Sequence, residues 1–191
     1  MKKSIGPRPF AFPAPVWCIG TYDAQEKPNV MTAAWGGISC SRPPCVNFSL
    51  RKATYTYDCV LRAKAFTVNI PSARHAKEAD YFGMASGRDA DKFKAAHLTP
   101  VASKTVHAPF VDEFPLVLEC KLVFHHELGL HTLFVGEVLD IQCDEAVLNK
   151  HGLPDIEKVQ PLIFSPEMRV YHGVGGFVGK AFSIGREIGQ A

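Results

Sequence analysis

The chain has 191 residues and a mass of 21.0 kDa, which predicts one domain and excludes a large two-domain enzyme. Hydrophobic residues make up 47% and charged residues 21%, a composition typical of a compact soluble protein rather than a disordered one. Lys and Arg number 21 against 19 Asp and Glu, and this balance excludes a general binder of nucleic acid or anionic membranes, so we expect a small-molecule or protein partner.

Strand-like runs rich in Val, Ile, Phe and Thr dominate the chain and are separated by Gly, Pro, Asn and Asp. The predicted strands are 16–22, 29–34, 45–50, 65–69, 116–127 and 131–142. A polar segment, 23–28, predicts a hairpin between the first two strands, and Gly129 predicts the tight turn of a longer hairpin between the last two. Long antiparallel strands of this kind belong to a barrel or a sandwich.

Helices are predicted at three places between these strands. An apolar face at i, i+3, i+4 spacing predicts a helix of roughly ten residues that begins near Thr54 or Thr56. A second helix is predicted over 73–82, ending at the following glycine, and a short helical turn over 91–97. After Pro161 the pattern is irregular and rich in glycine. We therefore expect a single domain over 1–191 with an irregular C-terminal extension from about residue 161.

The apolar segments are too interrupted to predict a membrane-spanning helix, since a span needs about 18 consecutive apolar residues. Four prolines between residues 7 and 15 also argue against a signal peptide. The six cysteines include no C-x-x-C pair and most lie in apolar runs, so we expect reduced thiols in a cytoplasmic protein. Cys40 and Cys45 flank Ser-Arg-Pro-Pro, which matches no common dithiol motif, and buried small hydrophobic side chains are favoured over a redox pair.

Common catalytic signatures are missing from the sequence. It contains no G-x-S-x-G, no H-E-x-x-H and no Walker A motif. The glycine-rich run 173–179 does not match the register of a dinucleotide-binding G-x-G-x-x-G. No metal site is predicted, because His125, His126 and His131 lack carboxylate or cysteine support.

An anion site is indicated over 49–57, where a predicted strand ends, two cations follow and a helix begins with hydroxyls in its first turn. Helix N-terminal amides, hydroxyl donors and a nearby cation are what a phosphate monoester needs. The alternative is that Thr54 or Thr56 only caps the helix while Arg51 and Lys52 are solvated. The residues alone leave both interpretations open.

Three further features are candidates for ligand contact. In 82–93 a Gly/Ser turn leads to Lys92, which either reaches the same phosphate or lies in a solvated loop. In 29–37 a strand runs into small residues, Trp35 and paired glycines, which suits a flat heteroaromatic ring or a barrel rim with the Trp in the core. His131 opens a strand at the rim and faces either a ligand or solvent.

Several stretches share their order and spacing with one known family. They are 20–23 (GTYD), 28–35 (PNVMTAAW), 49–56 (SLRKATYT), 68–71 (VNIP), 86–87 (SG), 91–93 (DKF), 129–138 (GLHTLFVGEV) and 179–185 (GKAFSIG). Together, over about residues 8–187, they resemble the flavin reductase-like family of FMN-binding split barrels. No single motif carries the resemblance.

The resemblance implies a mainly β chain with a few helices, folded as a Greek-key split β-barrel, and a homodimer with non-covalent FMN near the subunit interface. It implies that five residues lie along the isoalloxazine: Asn29, Thr32, Ala33, Ala34 and Trp35. Five more approach the ring edge, ribityl chain and phosphate: Ser49, Leu50, Arg51, Thr54 and Thr56. Lys92 completes the phosphate pocket, His131 stands beside the ring where a nicotinamide stacks, and Phe164 covers the flavin.

The implied function is that of an FMN-dependent oxidoreductase. A flavin supplies the redox chemistry itself, which accounts for the missing catalytic signatures. Two modes are compatible: a carrier reduced by a redox protein partner, and a reductase that takes hydride from NAD(P)H and uses flavin as its substrate. Many family reductases have an acidic residue before the histidine, whereas this chain has Leu130, which favours the carrier.

A hypothesis of another class is a non-catalytic split-barrel module that binds haem or another flat ligand. Haem has no phosphate monoester and would not need Thr54, Thr56 or Lys92. No nucleic acid and no membrane partner is expected.

Overall fold

The computed structural model describes residues 1–190, and the main feature of this range is an open seven-stranded antiparallel sheet. The strands, numbered along the chain, are β1 (Ala14–Pro15), β2 (Trp17–Tyr22), β3 (Pro28–Ala33), β4 (Gly36–Ser41), β5 (Pro44–Arg51), β6 (Ala65–Ile70), β7 (Pro100–Ala102), β8 (Pro109–Val111), β9 (Leu116–Leu128), β10 (His131–Cys143), β11 (Ile163–Ser165) and β12 (Val170–His172). The order across the main sheet is β3-β2-β6-β9-β10-β5-β4. Smaller sheets are formed by β1-β11-β12 and by β7-β8.

A corner of the chain brings the two ends of the main sheet together. β3 and β4 stand at opposite ends of the strand order, yet only Ala34 and Trp35 separate them. Every pairing in the sheet is antiparallel, so the first and last of its seven strands run in the same direction and β4 continues the course of β3. The three Cα–Cα steps from Ala33 to Gly36 span at most about 11 Å, so the sheet must curl until its ends come close together. This is a split barrel, held at its seam by the corner and not by a ladder between β3 and β4 in the described chain.

Both predicted hairpins are confirmed. β2 pairs with β3 across the polar loop after Tyr22, where Asp23 accepts hydrogen bonds from the backbone N–H groups of Gln25 and Lys27. β9 pairs with β10 over their full lengths, and Gly129 at the turn has φ +53°, which a residue with a side chain adopts at a cost.

The predicted helices are also present. They are α1 (Tyr55–Ala63), α2 (Ala76–Met84) and α3 (Lys92–Ala96), and a further short helix is α4 (Ile156–Val159). The predicted second helix begins as a 3-10 turn, Ala73–His75, before continuing as α2. α2 and α3 pack against β3, the free edge of the barrel.

Two apolar clusters hold these elements together. The barrel interior is filled by Phe48, Phe66 and Phe134, with ring centroids 4.9 Å apart for Phe48–Phe66 and 5.5 Å apart for Phe48–Phe134. A second cluster, under α2 and α3, includes Phe82 and Phe93. Burial of each of these aromatic side chains stabilises the fold by about 1.5–3 kcal/mol.

Three expectations about structure are corrected. β4 was not predicted, because it is a glycine-rich edge strand without an apolar alternation. The segment after Pro161 is less irregular than expected, since it forms β11 and β12, which pair with each other and, through β11, with β1. Cys45 is buried as expected, but Cys40 is exposed. Among the residues that the structure describes, no helix is long and apolar enough to cross a membrane.

Candidate functional site

One cleft lies between the starts of α1 and α3 and the turn that follows α2. We call it the helix-end cleft; its walls are formed by Met31, Ala53–Thr56, Gly83–Asp89 and Lys92, and its volume is about 380 Å³. Three residues predicted to bind phosphate, Thr54, Thr56 and Lys92, come together here although they are up to 38 positions apart in the chain (92 − 54). The sequence-predicted convergence is therefore present in the fold.

Lys92 is a buried cation without a counter-charge. Lys92 is only 4% exposed, and its Nζ donates to the Phe82 carbonyl at 3.0 Å. It forms no ion pair with any carboxylate in residues 1–190. Burial lowers the pKa of the Lys92 ammonium to about 8. An anion in the cleft would compensate this charge, because buried charges in proteins are normally paired.

Thr56 is held by Asn29 so that its hydroxyl proton stays available. Asn29 Nδ2 donates to Thr56 Oγ1 at 2.9 Å and to Thr21 Oγ1 at 3.4 Å. Since Thr56 Oγ1 accepts from Asn29, its own O–H is free to donate into the cleft. Asn29 Oδ1 is buried and has no hydrogen-bond partner within the described chain. The Asn29 side chain therefore lies beneath the helix-end cleft, behind Thr56.

Gly87 forms the opposite wall at very close range. A Cβ at this position would lie 2.3 Å from Asn29 Oδ1 and 2.6 Å from Tyr55 Cδ1. The backbone of the turn thus approaches the floor of the cleft more closely than any other residue type would allow. The uncompensated Lys92 ammonium, the Thr56 hydroxyl donor and this backbone cradle together have the character of an anion site.

Thr54 occupies the N-cap position of α1, but its hydroxyl donates to the Arg51 carbonyl at 2.8 Å instead of accepting from the helix. Thr54 is therefore the N-cap residue by position, as one of the two interpretations expected, but its side chain makes no capping hydrogen bond. Arg51 is exposed and is not one of the residues that line the cleft. Lys52 is bound on the surface, with Nζ 2.7 Å from Glu127 Oε1.

Arg88 is a cleft residue that sequence reasoning missed. Its Nη1 donates to the Ala53 carbonyl at 3.0 Å, and its guanidinium carbon lies 5.3 Å from the centre of the Tyr55 ring. Tyr55 is itself fixed, because its hydroxyl donates to Asp23 Oδ2 at 2.9 Å. A second cation is thus positioned at the cleft by an aromatic face. The Gly/Ser turn in the sequence was the only signal, and it does not distinguish this arginine from a solvated one.

A second cleft continues from the first, since Gly83 and Met84 line both. We call it the aromatic cleft; it is lined by Val16, Thr32, Ala34, Asp80, Gly83, Met84, Phe164, Arg169 and Tyr171, and its volume is about 330 Å³. The Phe164 and Tyr171 rings lie 5.7 Å apart, and the Tyr171 hydroxyl donates to Asp80 Oδ1 at 2.8 Å. Thr32 Oγ1 donates to the Ala79 carbonyl at 2.5 Å, so Thr32 ties β3 to α2.

Four other residues predicted to contact the ligand do not line either cleft; they are Ala33, Trp35, Ser49 and Leu50. Ala33 and Leu50 are buried in the barrel core, where their side chains contact other core residues rather than either cleft. Trp35 is 36% exposed beside Ala34, at the mouth of a neighbouring pocket formed with the N-terminal segment. Ser49 lies next to it, its N–H donating to the Trp35 carbonyl at 2.8 Å.

His131 lies opposite Arg51 in the β5–β10 ladder and is not one of the residues that line the two clefts. The placement of this histidine beside a flavin ring stays a prediction. In the described range, no group of three or more His, Cys, Asp or Glu side chains is arranged to hold a metal ion.

Comparisons with known proteins place the chain in a family. The flavin reductase-like domain family matches residues 10–171. The structure of the flavoredoxin of Desulfovibrio vulgaris (Miyazaki F) is 50% identical, with a TM-score of 0.94 over 97% of this chain and 100% of that one. The flavoredoxin of Methanosarcina acetivorans is 30% identical, with a TM-score of 0.91 over 98% of this chain and 99% of that one.

A curated relative has a different role. It is the reductase component of a 4-nitrophenol 4-monooxygenase/4-nitrocatechol 2-monooxygenase from Rhodococcus opacus. It is 32% identical over 127 residues, which are 60% of this chain and 64% of that protein. The match thus spans slightly less than two thirds of the relative's length.

Proposed function

The chain belongs to the flavin reductase-like domain family, and from this membership we propose that it binds FMN non-covalently and transfers electrons through it as a flavoredoxin-type carrier. Flavin-associated redox function is common to this family, whereas the identity of the flavin and the carrier mode are our proposal. The observation that carries it is the uncompensated Lys92 ammonium in a cleft that also holds Thr56 and Arg88. Those groups match a phosphate monoester, which FMN has and riboflavin lacks.

The side chains of the helix-end cleft would each make a different interaction with the phosphate. Lys92 and Arg88 neutralise its negative charge, and Thr56 donates its hydroxyl proton. The start of α1 borders the same space, so its N-terminal amides would add the positive end of the helix dipole. We assign a smaller part to Thr54, because its hydroxyl already donates to a carbonyl.

The aromatic cleft would receive the ring. Phe164 and Tyr171 provide apolar surface that excludes water from one side. β3 is an edge strand, so its outer peptide groups are free of a second ladder and can hydrogen-bond with a heterocycle. When bound, FMN supplies the redox chemistry by accepting and releasing electrons through its ring system. The chain provides position, charge compensation and exclusion of solvent.

The first test is an absorption spectrum of the freshly purified protein, followed by release and identification of any chromophore. We expect flavin bands and released FMN. FMN should also bind the flavin-free protein at least tenfold more tightly than riboflavin. A colourless protein that binds neither would remove the proposal and favour a module for another flat ligand. Equal affinity for FMN and riboflavin would refute the phosphate assignment alone.

Electron donation from NAD(P)H is the second candidate function, and the Rhodococcus reductase component is the observation that favours it. Leu130 before His131, and the position of His131 outside the clefts, favour the carrier. Steady-state oxidation of NADH and NADPH with added FMN separates the two. The carrier shows no turnover while its bound flavin is still reduced by dithionite. Turnover that saturates with free FMN identifies a flavin reductase.

We also propose a homodimer, supported by apolar side chains on the outer part of the β9–β10 hairpin. Val123, Phe124, Leu128 and Leu130 are each at least 50% exposed. Light scattering should give twice the chain mass, and Phe124→Asp should give the mass of one chain. Lys94→Asp on α3 is the control. A redox protein partner and a cytoplasmic location stay predictions from the sequence.

A further inference from the structure

A pair of thiols faces each other near the end of the β4–β5 hairpin, away from the two clefts. Cys40 of β4 and Cys45 of β5 are direct partners in the antiparallel ladder. Directly opposed residues have Cα atoms about 4.5–5.5 Å apart and side chains on the same face of the sheet. This separation falls inside the range of about 4.4–6.8 Å that a disulfide spans. The ladder is irregular between Ile38 and Cys40, but Cys40 is again paired directly with Cys45 beyond that point, at a register compatible with a disulfide.

The two cysteines differ in access in a way that suits stepwise exchange. Cys40 lies on the outermost strand of the sheet and is exposed, whereas Cys45 is only 7% exposed. The Cys40 thiol makes only a weak hydrogen bond, to the Arg42 carbonyl at 3.3 Å. Cys45 lies between Cys40 and Glu137 in one row across β4, β5 and β10. Burial, together with Cys40 and Glu137, raises the pKa of the Cys45 thiol, so Cys45 is the less reactive of the two.

We propose that Cys40 and Cys45 form a thiol–disulfide exchange site that reacts with low-molecular-mass disulfides and closes reversibly into a cross-strand disulfide. The Cys40 thiolate attacks the external disulfide, forms a mixed disulfide and releases one thiol. Cys45 then attacks the Cys40 sulfur, forms the bond between the two residues and releases the second thiol. In total the protein dithiol loses two electrons and two protons, and one external disulfide becomes two thiols.

The site is independent of the proposed FMN binding. Cys45 and Ser49 are four positions apart on β5, about 13 Å of extended strand, and the cysteine pair lies outside both clefts. The closed form joins the edge strand β4 covalently to β5. The other cysteines are less suited to such exchange, since Cys18, Cys59 and Cys120 are buried and Cys143 is half-buried.

The experiment uses the full chain in anaerobic buffers of oxidised and reduced glutathione, quenched with acid and alkylated after unfolding. Chymotrypsin cleaves after Trp35 and Phe48 and releases residues 36–48, which contain Cys40 and Cys45 and none of the other cysteines. With excess oxidised glutathione, we expect this peptide to lose both alkylation sites and two hydrogens. Reduced glutathione should restore both sites.

Variants identify the order of the two steps. Cys45→Ser should accumulate glutathione on Cys40, and Cys40→Ser should leave Cys45 fully alkylated. Cys143→Ser is the matched control and should behave as the unchanged protein. The proposal is overturned if the unchanged protein keeps glutathione on Cys40, or if both thiols remain alkylated at every glutathione ratio. Because the readout is the mass of one peptide, it is the same with or without flavin.

Discussion

Replacing Lys92 by methionine should stabilise the flavin-free protein and weaken its binding of FMN, two effects of opposite sign. Methionine has nearly the length of lysine but carries no charge that burial disfavours. Burial lowers the pKa of Lys92 from 10.5 to about 8, which corresponds to roughly 3 kcal/mol at 1.36 kcal/mol per pH unit. The hydrogen bond from the charged ammonium to the Phe82 carbonyl is lost, at about 1.5 kcal/mol. We expect a net gain of about 2 kcal/mol at pH 7.

That gain should raise the Tm of the flavin-free protein by roughly 4–8 °C, since 1 kcal/mol moves Tm by about 2–4 °C in a chain of this size. FMN affinity should fall roughly 10- to 150-fold, because a charged hydrogen bond contributes about 1.5–3 kcal/mol. Riboflavin affinity should not change. Differential scanning calorimetry measures the first effect, and flavin fluorescence titration measures the other two.

The pH dependence gives an independent check of the same reasoning. Between pH 8 and 10.5 the folded Lys92 is mostly neutral while the unfolded one is still protonated. The unfolded state binds more protons there, so the stability of the flavin-free protein gains a rising contribution with pH. Lys92→Met lacks this contribution. Lys94→Met, at an exposed position of the same helix, is the control. A Lys92→Met variant with a lower Tm and an unchanged preference for FMN over riboflavin would refute the reasoning.

Other changes around the site and the fold have equally definite outcomes. Thr56→Val should lower FMN affinity about tenfold and leave riboflavin affinity unchanged in the same titration, since one hydroxyl donor is removed. Gly87→Ala should cost about 1–3 kcal/mol in urea unfolding, because its Cβ would meet buried atoms at 2.3 Å and 2.6 Å, whereas Gly175→Ala meets nothing within 4 Å. Burial raises the pKa of Glu119, but hydrogen bonds from Thr105 and its neighbours outweigh it and hold that pKa below 4.5. Its stabilisation is therefore present above pH 4.5 and lost as pH falls through the folded pKa, and Glu119→Gln should flatten the acid limb of a plot of unfolding free energy against pH.

Much of the fold follows from local patterns in the sequence. The hairpin around Gly129 could be predicted because a positive φ and two long apolar strands leave few alternatives. The helix-end cleft could be predicted in part. Hydroxyls at a helix start, here Thr54 and Thr56, and a nearby cation, Lys92, commonly cap the helix, face solvent or bind an anion. The burial of Lys92, which decides among these, depends on Phe82 and the packing of α2 and has no local signal.

Two of the predicted site residues have side chains in the barrel core, and both are there for the same physical reason. Ala33 and Leu50 belong to consecutive stretches that resemble flavin-contacting segments, but successive side chains of a strand point to opposite faces. Both therefore face the barrel core. Arg88 was missed for the opposite reason: its position depends on a ring and a carbonyl 33 and 35 residues away (88 − 55 and 88 − 53), contacts that only the folded chain creates.

The corner at Ala34 and Trp35 constrains how the length of this chain can vary. β3 and β4 follow one another in the same direction, and each is fixed by hydrogen bonds to a different strand, β3 to β2 and β4 to β5. One inserted or deleted residue at the corner would shift one of these strands and turn all its side chains to the other face. A substitution at Ala34 or Trp35 changes only the side chains that line the aromatic cleft and the neighbouring pocket. A change of length would instead break the pairing of β3 with β2 or of β4 with β5. Length variation should instead accumulate in connections outside the ladders of the main sheet, such as 23–27 and 148–155.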